Sequence, residues 1–168
     1  MTLPDLPLTL DLLELYFSYI HGQFHSLFHP ATFIEDASRH EVPEPILLAI
    51  IGLVARFSDD PAFAHVLPQD RGRLYSLEAE KYFNIREISL ETIQLGVLLG
   101  AAMTADGEAE IENVFYAVSC RMAQLIDLPR RLSSTILERE VNIRGCTNSY
   151  FAFGDVLTDD SVVVSVYD

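Results

Sequence analysis

Three histidines at four-residue spacing, His21, His25 and His29, come nearest to chemistry in this chain. Neutral imidazoles ligate zinc, and two histidines four apart on a helix share one face. His29 fits that arrangement poorly, because Pro30 restrains it away from helical geometry. No glutamate follows His21, so the metalloprotease pattern is missing. The competing reading is three histidines at a helix end that hold no ligand. Other candidates are weaker. Asp11 with Glu14, and Glu138 with Glu140, are carboxylate pairs, but 25 acidic residues generate many such pairs by spacing alone. Ser133, Ser134 and Thr135 form no nucleophile elbow, and no phosphate-binding glycine loop is present. Asp106-Gly107-Glu108 lacks the ligand alternation of a calcium loop. Cys120 and Cys146 make no CxxC pair, and read as unpaired thiols of a reducing compartment. No catalytic, cofactor-binding or DNA-binding residue is assigned. His21, His25 and His29 remain as candidates for a metal that the sequence does not require.

The charge balance narrows the partners. The chain has 25 acidic and 11 basic residues, a formal charge of −14, and one lysine, Lys81. Such a chain repels phosphate backbones, which argues against direct nucleic-acid contact by this segment and allows docking of basic partners. Arg130-Arg131 is too short for a nuclear localisation signal and suits the carboxyl end of a helix. No apolar run approaches the roughly 18 residues that span a bilayer, and the N-terminus has no basic n-region. An intracellular protein without a membrane segment is expected.

Hydrophobic periodicity supplies the elements that would position these residues. Glu108–Arg131 carries Ile111, Val114, Phe115, Val118, Met122, Leu125 and Ile126 at helical steps and is expected to stop at Pro129. Ala117, Cys120 and Ala123 beside that stripe are small enough for another helix to approach. A first helix is expected from Thr9 as its cap, with Leu12, Leu13, Tyr16, Tyr19, Ile20 and Phe24 inward and Gly22 in its last turn. Pro30 opens a short second helix with Phe33, Ile34 and Ala37 inward. Ile46–Ala55 is apolar almost all round and belongs at the centre. A fourth helix is expected over Gln69–Arg86, with Leu74, Leu77, Ala79 and Phe83 in the core. Ser89 caps a fifth, whose Gly96 and Gly100 mark close packing. Ala105-Asp106-Gly107 turns into the Glu108 helix, and Ser133-Ser134-Thr135 with Glu138 caps a seventh, TILEREVNIR. From Gly145 the composition changes. Residues 150–153 and 162–167 favour strands, while disorder is an equal alternative, since an isolated hairpin is marginal in water.

Four phrases, in order, carry a resemblance. LLELYFSYIHGQFHSLFHPATF, ILLAIIGLVARFS, SLETIQLGVLLGAAMTADGEAE and YAVSCRMAQLIDLPRRLSSTILEREVNIR resemble the fungal-specific transcription factor domain, the regulatory middle region of zinc-cluster transcription factors. The resemblance implies a regulatory domain that is not an enzyme. It implies a nuclear location, and co-regulator proteins, the rest of a transcription factor or a small-molecule effector as partners. Family zinc sits in a separate six-cysteine module that nothing in this chain matches, so no cofactor is expected here.

The fold expected is all-α. It is an irregular bundle of six to seven helices over residues 9–144, with a non-helical or weakly β tail over 145–168. That tail departs from the family pattern, as a truncated product or a gene model read through an intron would. The alternatives to a regulatory domain are a small helical metal-binding protein or enzyme using His21, His25 and His29, or a non-functional fragment.

Overall fold

The computed structural model describes residues 2–128 except residue 24. They form six α-helices: α1 (Leu6–Tyr19), α2 (Pro30–Ser38), α3 (Glu44–Val54), α4 (Arg73–Glu80), α5 (Leu90–Asp106) and α6 (Ala109–Leu125). Short 3₁₀ turns at Ala55–Phe57, Pro61–Phe63 and Pro68–Asp70 join α3 to α4. No strand is present among the described residues, so the all-α expectation holds there. The seventh helix and the tail lie outside the described residues.

α3 is the centre of the bundle. Every residue from Ile46 to Val54 is buried, and α1, α4 and α5 all pack on it. The apolar run makes this the cheapest arrangement, since each exposed leucine or isoleucine would forfeit roughly 1.5–3 kcal/mol. α1 presents Leu12, Leu13 and Tyr16. It begins at Leu6 rather than Thr9. Asp5 is its cap, accepting from the Leu8 N–H at 3.3 Å, and proline near its first position suits the restricted backbone there. Thr9 is buried inside the first turn, with its hydroxyl donating to the Pro4 carbonyl at 3.3 Å.

α4 departs most from the periodicity reading. It is only Arg73–Glu80, and Leu74 and Leu77 are 63% and 46% exposed. The face it buries is Gly72, Ser76 and Ala79, with Phe83 half-buried beyond its end. The reason is close approach to α3. A Cβ on Gly72 would run into the Gly52 carbonyl oxygen, and one on Gly52 into the Ser76 hydroxyl. Larger side chains on that face would hold the two helices apart, so the leucines point outward.

α5 and α6 pair through small residues too, as Gly96 and Gly100 suggest. Ser119 and Phe83 occupy the space beside Gly96. A Cβ on Gly100 would lie 2.9 Å from the Tyr116 ring. Ser89 caps α5 by accepting from the Thr92 N–H at 3.1 Å. The Glu108 N–H returns to the Met103 carbonyl at 2.9 Å, closing the turn into α6. α6 buries Glu112, Phe115, Ser119 and Met122, so its inward face is rotated from the expected stripe. It ends at Leu125, ahead of Pro129, with Asp127 in the left-handed region at φ 57°.

Arg56 joins distant parts of this frame. Its Nε donates to the Leu53 carbonyl at 3.2 Å and Nη1 to the Ala105 carbonyl at 3.0 Å, while Nη2 pairs with Asp106 at 2.8 Å. The guanidinium thus satisfies carbonyls in the last turns of α3 and α5, the ends that favour a cation. Both partners of the ion pair are 16% exposed. Arg56→Met is therefore expected to cost about 2 kcal/mol, read as a lower urea midpoint by circular dichroism. Arg56→Lys should recover only part of it, because one ammonium cannot span three acceptors.

Candidate functional site

The histidines sit where α1 hands the chain to α2. α1 ends at Tyr19, and both the Ile20 and His21 N–H groups donate to the Tyr16 carbonyl, at 3.0 and 2.9 Å. Gly22 then takes φ 78°, a left-handed conformation that glycine adopts without strain, and its N–H donates to the His25 carbonyl at 2.8 Å. His21 and His25 are thereby paired across a one-bridge turn. They do not share a helical face, as their spacing suggests, because the helix stops two residues too early. Phe24, placed on the apolar face by periodicity, lies outside the described residues.

His25 is 5% exposed and packs edge-on against fully buried Tyr16, with ring centroids 5.8 Å apart. Its Nε2 lies 3.3 Å from the Tyr16 hydroxyl. Either tautomer makes that bond, and either leaves Nδ1 without a partner among the described residues. His21 Nε2 is likewise buried and unpartnered there, and its ring packs against Phe17 at 5.2 Å. Burial, reinforced by His21, pushes the His25 imidazole down to about 4. Burial, and then His29, lowers His21 as well. Both shifts favour the neutral ring, the form that ligates metals.

The third candidate is used differently. His29 caps α2: its Nδ1 lies 3.2 Å from the Thr32 hydroxyl and accepts from the Thr32 N–H at 3.5 Å. This explains histidine before Pro30, since the cap position is extended and the proline follows at the first helical residue. Among the described residues, no group of three His, Cys, Asp or Glu side chains converges in a way that could hold a metal ion. The three histidines are thus two ring contacts and a helix cap. That arrangement forms the connection from α1 to α2.

The carboxylates of the sequence reading lie elsewhere. Asp11 and Glu14 are exposed on α1 and line shallow grooves. One groove, of about 650 Å³, runs between the N-terminal segment, α1, Phe63 and Tyr75. The other, of about 490 Å³, lies beside Leu15, Tyr19 and Phe57. They adjoin through Leu8, Asp11 and Asp60, and neither is lined by a basic residue. Tyr19 stacks on Phe57 at 5.3 Å, although both rings are half open to solvent. Acidic rim and aromatic floor were not read as a site from the sequence, because α1 and the Phe57–Phe63 turns are forty residues apart. Glu138, Glu140, Ser133, Ser134, Thr135, Arg130, Arg131 and Cys146 lie outside the described residues. No helix among the described residues is long and apolar enough to cross a membrane.

Comparison with known proteins agrees with the resemblance. The family described as fungal specific transcription factor domain matches residues 13–144. The chain belongs to that family. Two relatives are uncharacterized transcriptional regulatory proteins of Schizosaccharomyces pombe. The first is 29% identical over 128 residues, covering 75% of this chain and 13% of the relative. The second is 38% identical over 55 residues, covering 33% of this chain and 7% of the relative. The chain therefore spans only a small part of the curated relatives it matches. No solved structure matches it. Family membership supports a role in transcription regulation.

Proposed function

We propose that the chain is the regulatory, non-DNA-contacting part of a nuclear transcription regulator and works through protein contacts rather than catalysis. The observation that carries this reading is the groove beside α1, with an apolar and aromatic floor and a rim of Asp5, Asp11, Glu14, Asp59 and Asp60. Such a surface suits a basic segment with apolar anchors, supplied by a co-regulator or by the rest of the regulator. A net charge of −14 gives it the same preference at long range and disfavours nucleic acid. The reading keeps the domain boundary at Arg144 and the tail, 145–168, apart from it. The groove could also admit a small effector, for which it offers little polar specificity.

Fusing the chain to a heterologous DNA-binding domain tests this reading. The fusion is expected to change reporter output several-fold relative to the DNA-binding domain alone. Asp11→Lys with Asp60→Lys should return output toward that baseline while the far-ultraviolet dichroism is unchanged. A fusion that leaves output at the baseline would count decisively against a regulatory role.

A further inference from the structure

The groove beside α1 ends on a pair of rings that the bundle leaves open. Tyr19 closes α1 and Phe57 closes the 3₁₀ turn after α3. They stack on each other with their planes 30° apart, yet remain 54% and 43% exposed. Aromatic surface left in solvent attracts cations through the negative face of the ring. The carboxylates around the rings have the same preference. Asp11 and Glu14 stand one turn apart on α1, and Asp59 follows Phe57 in the loop; all three are exposed and line the groove with the rings. None of the three makes an ion pair among the described residues, whereas Glu35, Glu78 and Asp106 each face a basic side chain. The chain has no lysine or arginine before Arg39. Arg56 and Arg71 adjoin the Phe57–Asp60 loop, but both are engaged. Arg56 turns to Ala105 and Asp106, and Arg71 donates to the Ser58 and Val66 carbonyls at 2.6 and 3.0 Å.

We propose that this end of the groove takes an arginine side chain from a linear segment of a partner protein. The inference rests on the regulatory reading above and names the group that the groove recognises. A guanidinium suits the place better than an ammonium. It is planar, so it lies flat over a ring, and it is weakly hydrated, so contact with the rings costs it little. While stacked, its fork still presents two N–H groups to one carboxylate. A lysine gains from the carboxylates as a point charge, but it keeps its water and gains less from the rings. The carboxylates therefore supply attraction and the rings supply the choice of cation. A phosphate-bearing partner is repelled by the same carboxylates. The rest of the groove bounds the segment. From Tyr19 back to Leu8 is about 16 Å of α1, the reach of roughly five extended residues. There Leu8 and Phe63 line the adjoining groove and offer apolar contact to the same segment.

The test is fluorescence anisotropy on the whole chain with fluorescein-labelled hexa-arginine and hexa-lysine, which carry the same charge. At about 150 mM salt, where diffuse attraction is screened, hexa-arginine is expected to bind about fivefold tighter. Tyr19→Leu with Phe57→Leu keeps the apolar bulk and removes the rings. With far-ultraviolet dichroism unchanged, it should bring the ratio close to one and leave hexa-lysine binding little altered. Tyr82→Leu, at an exposed tyrosine that lines neither groove, should keep the ratio. Asp11→Asn with Glu14→Gln and Asp59→Asn should weaken both peptides. Equal affinity for the two peptides in the unsubstituted chain, a ratio that survives loss of both rings, or no binding of either would overturn the proposal. The reporter fusion keeps the two readings apart. A fusion that changes output, from a chain with no arginine preference, overturns the arginine site alone. A fusion at the baseline, from a chain that prefers arginine, overturns the regulatory role and leaves the arginine site standing.

Discussion

Replacing Gly72 with alanine is expected to cost about 3 kcal/mol of folding stability, the upper part of the range for overpacking a core. The added methyl would meet the Gly52 carbonyl oxygen, which is backbone inside the central helix. A flexible side chain could swing aside, but a carbonyl in α3 moves only if the helix moves, and α1 and α5 hold that helix from other sides. Leu74→Ala, two residues on, should cost less than about 0.5 kcal/mol, because Leu74 is 63% exposed. Urea unfolding followed by circular dichroism measures both. The contrast is sharp, because hydrophobicity alone ranks the two substitutions the other way round. Equal costs would mean that α4 does not lie against α3 as described.

Stability is also expected to fall as pH drops from 7 to 5, and His25 should account for most of the histidine share. Its folded value is depressed to about 4 from an ordinary 6.5. Between those values the unfolded chain binds a proton there and the folded chain does not. Stability is therefore fully present above about pH 6.5 and is lost as pH falls toward 4. The whole window corresponds to roughly 3 kcal/mol, and pH 5 to about 2 kcal/mol of it. His21, lowered by burial, pulls in the same direction. His25→Phe keeps a ring against Tyr16 and removes the proton. The difference in urea midpoint between pH 7 and pH 5 should then shrink by more than half. An unchanged difference would show that His25 is already solvated in the native state.

How much of this was legible can be judged residue by residue. The central place of α3 follows from an unbroken apolar run, and Ser89, Pro30 and Ala105–Gly107 announce their turns by residue type. Close helix contacts announce themselves poorly. The buried faces of α4 and α6 are built on Gly72, Ser76, Ala79 and Ser119, which carry little hydrophobic signal. Larger apolar neighbours such as Leu74 and Val114 stay outside. Arg121 and Gln124 bond each other along α6. At the histidine site, types and spacing were visible and the backbone was not. One left-handed glycine converts a helical repeat into a turn. Arg56 was missed altogether. The signal available was a cation closing an apolar helix, where carbonyls lack partners.

That arginine has a geometric consequence. Leu53 and Ala105 lie in the last turns of their helices, so the carboxyl ends of α3 and α5 meet at one guanidinium. Two partial negative poles that would repel each other are gathered around a single positive charge. Any relative swing of α3 and α5 therefore pivots at this end. Its amplitude is greatest at the far end, where Glu44 and Leu90 begin the two helices, so a partner that pries the pair apart gains most leverage there.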